Sequence, residues 1–512
     1  MVMRIGGLAS GFDTDSIIQK LMQAQRIPMD KLSQKKQTFE WQRNAYRELN
    51  TKLTEFRNNA VFNMKLESNV SPKKASIVGN STTVQASASA NASSGSIVLD
   101  VQSLAKAASN YSSSSIGTTD FKAGNLLSKS FEDGQLNYPD TEMLENYSFK
   151  INGAEITVDP TKDTLNSVIT KINRDTNVTA FYDSVTGQMS FMSKETGSIN
   201  GVTKDAAAIT FEDVDGDFLS NVLKVTNGSG NEQLGEDAVV TINGMQTTRS
   251  SNSFSINGVQ ITLLEAKPGS LVTINISNDV DATVNKIKEF ITSYNEMLSY
   301  LNNLSSEPKY RSFVPLTTEQ KAEMSEKEIE NWEKQAKSGL LRGDPIIAEA
   351  INALRSSTAA VMNTGNPDYK MLTSIGITSG NYAENGKLYL SDENKLREAL
   401  ADDPDAVMKM FTMAGEDKTT RSDEGVAARM HTDLMASLDL IAARAGKFLT
   451  LSDESPLSKL ILGVDKDITA MNRRLTDIEN KYYRQFGAME TAINKLNSQS
   501  TSLMSAFGGS SN

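Results

Sequence analysis

The chain has no cysteine, so it can form neither a disulfide nor a thiolate metal site. Its 512 residues include a single histidine, His431, which removes the histidine-based metal clusters and leaves any nucleophile triad dependent on that one residue. No run of roughly 18 apolar residues is present to span a bilayer. The opening MVMRIGGLASGF has no charged region followed by an apolar one and no cleavage site, so an ordinary cleaved signal peptide is not expected. Positive charge is also short: the net charge is -11 and the isoelectric point is near 5.0. Phosphate-backbone binding draws on clustered Lys and Arg, so neither nucleic acid nor membrane insertion is expected.

What the chain does have is seven-residue order at both ends. Ile461, Ile468, Leu475, Tyr482, Met489, Leu496 and Leu503 recur every seven residues, with Val464, Met471, Ile478 and Ala492 between them. Near the start, Ile18, Leu32, Phe39, Tyr46, Leu53 and Ala60 keep the same period, with Leu21, Leu49 and Phe56 three residues on. Residues 13 to 63 read as helix, with Asp13 as cap and Asp15 suited to the positive end of the helix dipole. Pro28 is expected to divide or kink it. Helices at both termini around a different middle suit an assembly component, although periodicity alone does not separate packing within a chain from packing between subunits.

Around Lys73 the composition turns to Ser, Thr, Ala and Gly in short alternating runs. Strand signals persist to about 277, punctuated by Asn152-Gly153, Thr186-Gly187, Asn243-Gly244 and Asn257-Gly258. One amphipathic helix interrupts them, with Leu165, Val168, Ile169 and Ile172 on one face. Looser segments at 109–119 and 225–236 suggest two β-rich modules, the second inserted in the first. Helix returns at Val280, followed by a charged run, Thr317 to Lys337, that reads as a solvated helix. Asp344-Pro345 starts a helix whose stripe is Ile347, Ile351, Leu354 and Val361. A small hairpin is expected from Ser374–Thr378 and Lys387–Leu390 around Asn385-Gly386, then helices at about 392–412 and 424–449.

The expected fold class is therefore α+β: an elongated multidomain chain with terminal coiled-coil helices and a β-rich, discontinuous two-module head between them. The division expected is 1–40 with 465–512 as a terminal leg, flexible before assembly, and 41–72 with 280–464 as a helical bundle carrying the hairpin. The head is expected at 73–120 with 236–279, and at 121–235.

Little in the chain points to chemistry. His431 lies in a helical run beside Met430 and Leu434 and reads as a helix-face residue. Asp213, Asp215 and Asp217 around Gly216 faintly suggest a calcium loop, but the glycine comes too early for an EF-hand and the later ligand is missing. Arg342-Gly343-Asp344 spells an adhesion tripeptide whose Asp is better explained as a helix cap. No spacing supports a paired-carboxylate glycosidase, so no catalytic, cofactor or metal residue is assigned and no enzyme is expected.

The opening Arg4-Ile5-Gly6-Gly7-Leu8-Ala9-Ser10-Gly11-Phe12-Asp13-Thr14-Asp15, followed by Arg26-Ile27-Pro28-Met29, closely resembles the flagellar filament capping proteins, also called hook-associated protein 2 or FliD. The resemblance continues through Val84–Ala90, Gly95–Leu104, Ile151-Asn152-Gly153, Gly258–Leu263, Phe290–Met297, Leu341–Asp344 and Ser374–Thr378, and is weakest over 202–235. It implies a structural protein exported through the growing flagellum to its distal tip, forming there a ring-like homo-oligomer, commonly a pentamer. The implied partners are flagellin, whose folding and insertion it would promote, the hook-filament junction proteins and a cytoplasmic export chaperone. The implied assembly interface is Ile5, Leu8, Phe12, Ile18, Leu21, Leu32, Phe39, Tyr46, Ile468, Leu475, Tyr482, Met489, Leu496 and Leu503. Other readings are an adhesin binding host glycans through the head and a different flagellar axial protein.

Overall fold

The computed structural model describes residues 13–136, 145–198, 208–415, 421–447 and 453–507. The chain forms two compact units, Met1–Val70 with Val280–Asn512 and Ser71–Asp279.

Helix α1 (Thr14–Phe56) starts where Asp13 accepts a hydrogen bond from the Ser16 amide at 3.0 Å. It does not divide at Pro28, which lies inside a continuous helix. The ring removes one backbone donor and sits at the surface, and partners farther along hold the helix together. A π-helical turn (Arg57–Val61) leads into two short helices, α2 (Phe62–Lys65) and α3 (Glu67–Val70).

The second unit is antiparallel throughout. Its five-stranded sheet runs β1-β14-β3-β10-β11, from β1 (Lys73–Gly79), β3 (Gly95–Ser103), β10 (Ala238–Ile242), β11 (Met245–Arg249) and β14 (Val272–Asn278). A three-stranded sheet runs β12-β13-β2, from β2 (Val84–Ala88), β12 (Ser253–Ile256) and β13 (Val259–Leu263). Both contribute to one core that includes Leu99, Val240, Ile261 and Ile274. A separate core, built around Phe149, Phe191, Phe218 and Leu165, gathers β4 (Ala107–Tyr111), β5 (Tyr147–Ile151), β6 (Ala154–Val158), β7 (Val178–Asp183), β8 (Gln188–Thr196) and β9 (Phe211–Asp215). Helices α4 (Leu127–Glu132) and α5 (Leu165–Asp175) pack in the same core.

Strand β4 falls inside the span 73–120, yet it pairs with β8 and buries Ala108 in this second core, so the change of core comes at about residues 105–108. Three of the Asn-Gly pairs close hairpins, joining β5 to β6, β10 to β11 and β12 to β13. In each pair both residues have positive φ, as the two-residue turn that matches strand twist requires.

Back in the first unit, α6 (Val280–Ser306) buries Val284, Ile287, Tyr294, Leu298 and Leu301 on one face. The charged run is two helices, α7 (Thr318–Ala322) and α8 (Glu326–Lys337), each opened by its own capping box and neither burying a residue. Helix α9 (Pro345–Ala359) starts at the Asp344 cap and ends two residues before Val361, which is therefore 58% exposed and not part of the buried stripe. The hairpin is β15 (Ile377–Ser379) with β16 (Leu388–Leu390), and Leu372–Ile375 form a 3-10 turn ahead of it. The helix expected over 392–412 is two, α10 (Glu393–Asp402) and α11 (Pro404–Thr412). Asp403 caps the second and Pro404 opens it, the same signal as at Asp344-Pro345. Helices α12 (Val426–Ala445) and α13 (Pro456–Phe507) complete the chain. One core unites Leu49 and Leu53 of α1 with Leu298, Leu354, Phe411 and Leu434.

Candidate assembly interface

The terminal heptads meet each other. Tyr483 donates to Asp15 at 3.0 Å, Lys36 pairs with Asp465 at 2.7 Å and Arg47 with Asp453 at 2.9 Å. Positions rise along α1 as they fall along α13, so the two helices are antiparallel. Their far end has a small core of its own, Ile18, Met22 and Leu475, flanked by Met29, Met471, Ile478, Tyr482, Tyr483 and Phe486.

Electrostatics reinforce this pairing. The hydrogen bond to Asp465 is the main cause raising the Lys36 pKa. Burial acts to raise that of Asp453, but the Ser458 hydroxyl, the Ser455 amide and hydroxyl and the Arg47 guanidinium hold it below the usual carboxylate range. Tyr46 anchors α1 to the bundle. Its hydroxyl donates to Asp344, and burial together with that carboxylate pushes its pKa strongly up, so the phenol stays neutral.

The residues inferred for assembly thus have different situations. Ile5, Leu8 and Phe12 lie outside the described residues. Ile18 and Leu475 are buried in the pair, and Tyr482 is half-buried beside them. Ile468 and Leu32 are half-buried. Phe39 packs on the bundle core and Tyr46 lies within it, so both serve the fold of the single chain. Leu21 is 39% exposed, off the stripe facing α13, and Met22 is buried in its place. Met489, Leu496 and Leu503 are 39%, 63% and 57% exposed, and Met504 is 75% exposed.

The strict seven-residue series misses Met22, Tyr483 and Phe486. They sit four positions after Ile18 and one and four after Tyr482, and the broader stripe of an ordinary amphipathic helix would include them. The exposed series has a geometric cause. Asp15, one residue into α1, already lies opposite Tyr483. From Gly487 to Phe507, about 30 Å at 1.5 Å per residue, α13 passes beyond the described start of α1.

The remaining candidates take structural roles. Asp213 accepts from the Leu219 and Ser220 amides and the Ser220 hydroxyl, capping the turn Phe218–Val222. Among the described residues no group of three or more His, Cys, Asp or Glu could hold a metal ion. Asp344 of the Arg-Gly-Asp tripeptide accepts from the Ile346 and Ile347 amides and from Tyr46. His431 lies beside the Phe62 ring, where burial first and then Lys65 and Arg57 lower its pKa. No helix among the described residues is long and apolar enough to cross a membrane.

Comparison with known proteins bears on this arrangement. The family model for the flagellar hook-associated protein 2 N-terminus matches residues 10–108, and that for its C-terminus matches residues 235–498. The stretch between them corresponds closely to the second core of the β-rich unit, Ala108 to Val225. Flagellar hook-associated protein 2 of Halalkalibacterium halodurans is 33% identical, with 99% of this chain and 100% of that protein covered. Its counterpart in Thermotoga maritima is 26% identical, with 99% and 96% covered. The crystal structure of the D1-D2-D3 domains of the flagellar cap protein FliD from Escherichia coli shares the fold at a TM-score of 0.53 and 20% identity, covering 82% of this chain and 99% of that one.

Proposed function

The chain belongs to the flagellar hook-associated protein 2 family, and from that premise we propose that it caps the distal tip of the bacterial flagellar filament, where it promotes folding and insertion of exported flagellin and so sustains elongation and motility. The role is structural, performed outside the cell by a ring-like homo-oligomer with five copies as the expected number. Hook-filament junction proteins and a cytoplasmic export chaperone are the further partners of this reading.

The observation that carries it is the division of α13 into a half paired with α1 and a half with Met489, Leu496, Leu503 and Met504 turned to solvent. Burying such a side chain fully is worth about 1.5–3 kcal/mol. Among the described residues these four side chains join no core, so on this reading the second half gains its stabilisation against another molecule, in the filament flagellin or a neighbouring cap subunit. Before export the same face is an aggregation hazard, which gives a chaperone its purpose.

Deletion of residues 487–512 tests the proposal. The α1–α13 pair is retained in the truncated chain, so its melting temperature should stay near that of the full chain. The cells should be non-motile and release unpolymerised flagellin into the medium. Normal filaments from this truncation would place the essential contacts elsewhere.

A further inference from the structure

Between α9 and the β15–β16 hairpin lies a cleft of about 540 Å³. Its lining is mixed, with the buried Ile377 and Leu388 and the 37% exposed Met371 beside polar residues such as Asn352 and Thr373. Arg355 of α9 forms one wall, and its guanidinium has no ion pair or hydrogen bond among the described residues. The side chain lies over Gly386, where a Cβ would meet the Arg355 Nε at 2.9 Å, so the glycine leaves the space that Arg355 occupies. No Asp or Glu lines the cleft, although the whole chain carries a net charge of -11. At the rim Tyr382 is 96% exposed. Its turn is held by Glu384, whose carboxylate accepts from the Asn381 amide at 2.8 Å and the Tyr389 hydroxyl at 2.9 Å.

We propose that this cleft docks an acidic side chain flanked by an apolar residue on an extended segment of a partner protein. The carboxylate pairs with Arg355, whose planar fork suits two-point contact with a carboxylate. The neighbouring apolar side chain packs on Met371, which lines the cleft and is 37% exposed, with Ile377 and Leu388 behind it, and the main chain crosses Tyr382. Charge complementarity selects the acidic group, because an unpaired guanidinium faces a space without a carboxylate. Tyr382 selects a polypeptide over a small acid: it lines the cleft yet is 96% exposed, so only a ligand large enough to extend over its side chain can bury it. Arg and Tyr in such positions are the residue types that dominate protein interfaces.

The test is a titration of the full chain, methyl-labelled at Ile and Leu, with the blocked peptide acetyl-Ala-Leu-Glu-Leu-Ala-amide and with its Gln counterpart. The readout does not depend on flagellar assembly, so its failure leaves the capping proposal standing, and failure of capping leaves this one. The Glu peptide should shift the Ile377 and Leu388 methyl resonances saturably, and the Gln peptide should bind about tenfold more weakly, as the loss of a charged hydrogen bond predicts. Arg355→Gln should weaken the Glu peptide by a similar factor and leave the Gln peptide unchanged. Tyr382→Ala should weaken both peptides alike. Both variants replace surface side chains, and unchanged thermal melts verify their folding. Equal binding of the two peptides, equal sensitivity of both to Arg355→Gln, or no methyl shift at millimolar peptide would overturn the proposal. Saturation by acetyl-leucine with the same dependence on Arg355 would assign the cleft to a small carboxylate and overturn it equally.

Discussion

Helix α13 carries one repeat along its length, but its two halves are in different environments. Leu475 in the first half is 6% exposed, packed with Ile18 and Met22, whereas Leu496 in the second is 63% exposed with the same chemistry at the same heptad position. The difference lies in the partner: α1 runs alongside the first half, and its described part ends before the second. A heptad therefore marks which side of a helix seeks cover and carries no information about which chain provides it. In this molecule the same stripe serves the fold in one half and, on the proposed reading, assembly in the other.

The sharpest way to break this comparison is to place a carboxylate in each half. Leu475→Glu puts an unpaired charge in the α1–α13 core and should cost about 3 kcal/mol or more, seen as a lower melting temperature of the bundle unit. Leu496→Glu should change stability by no more than about 0.5 kcal/mol, yet abolish capping in a motility assay. Asn472→Glu, at an exposed position in the paired half, serves as the neutral control. Equal melting temperatures for the Leu475 and Leu496 variants would refute the division.

Amide exchange on a verified monomer gives the next largest contrast. Residues 457–486 should exchange slowly and 490–505 quickly, because helices without packing partners are marginal in water. Equal protection across both segments would mean that the second half is covered within the single chain.

A smaller effect is expected where α1 is anchored. Tyr46→Phe leaves Asp344 without one of its donors and should cost about 1 kcal/mol, lowering the melting temperature without altering exchange beyond Phe486. A change in the overhang would show that the anchoring of α1 reaches past the pair.

The smallest effect concerns Lys36, whose pKa is raised by Asp465 above the ordinary 10.5. A raised folded value means that its contribution is fully present below about pH 10.5 and disappears as pH rises through the folded value. The melting-temperature difference between the native chain and Lys36→Met should hold from neutral pH to that point and then narrow. A difference that narrows between neutral pH and about pH 10, where both Lys36 and Asp465 keep their charges, would assign the contribution to another group.

Much of the architecture was legible because it is local. The Asp13 and Asp344 caps, the positive-φ Asn-Gly turns and the switch from seven-residue to alternating order near Lys73 each depend on a few neighbouring residues and behave as short-range chemistry dictates. The break at Asp403-Pro404 was equally local and readable by the rule used for Asp344-Pro345. Other features were decided by residues distant in the chain. Pro28 stays within one helix because the elements along α1 support both of its sides. Strand β4 joins the second core because its hydrogen-bonding partner is β8, some eighty residues later. The solvent exposure of Leu496 follows from where α1 begins relative to α13. The sequence by itself determined which faces are apolar, where helices are capped and where hairpins turn, because these follow from side-chain type and backbone sterics at short range. Only the tertiary structure decided which apolar faces are covered and which remain for a partner, because coverage depends on the placement of elements far apart in the chain.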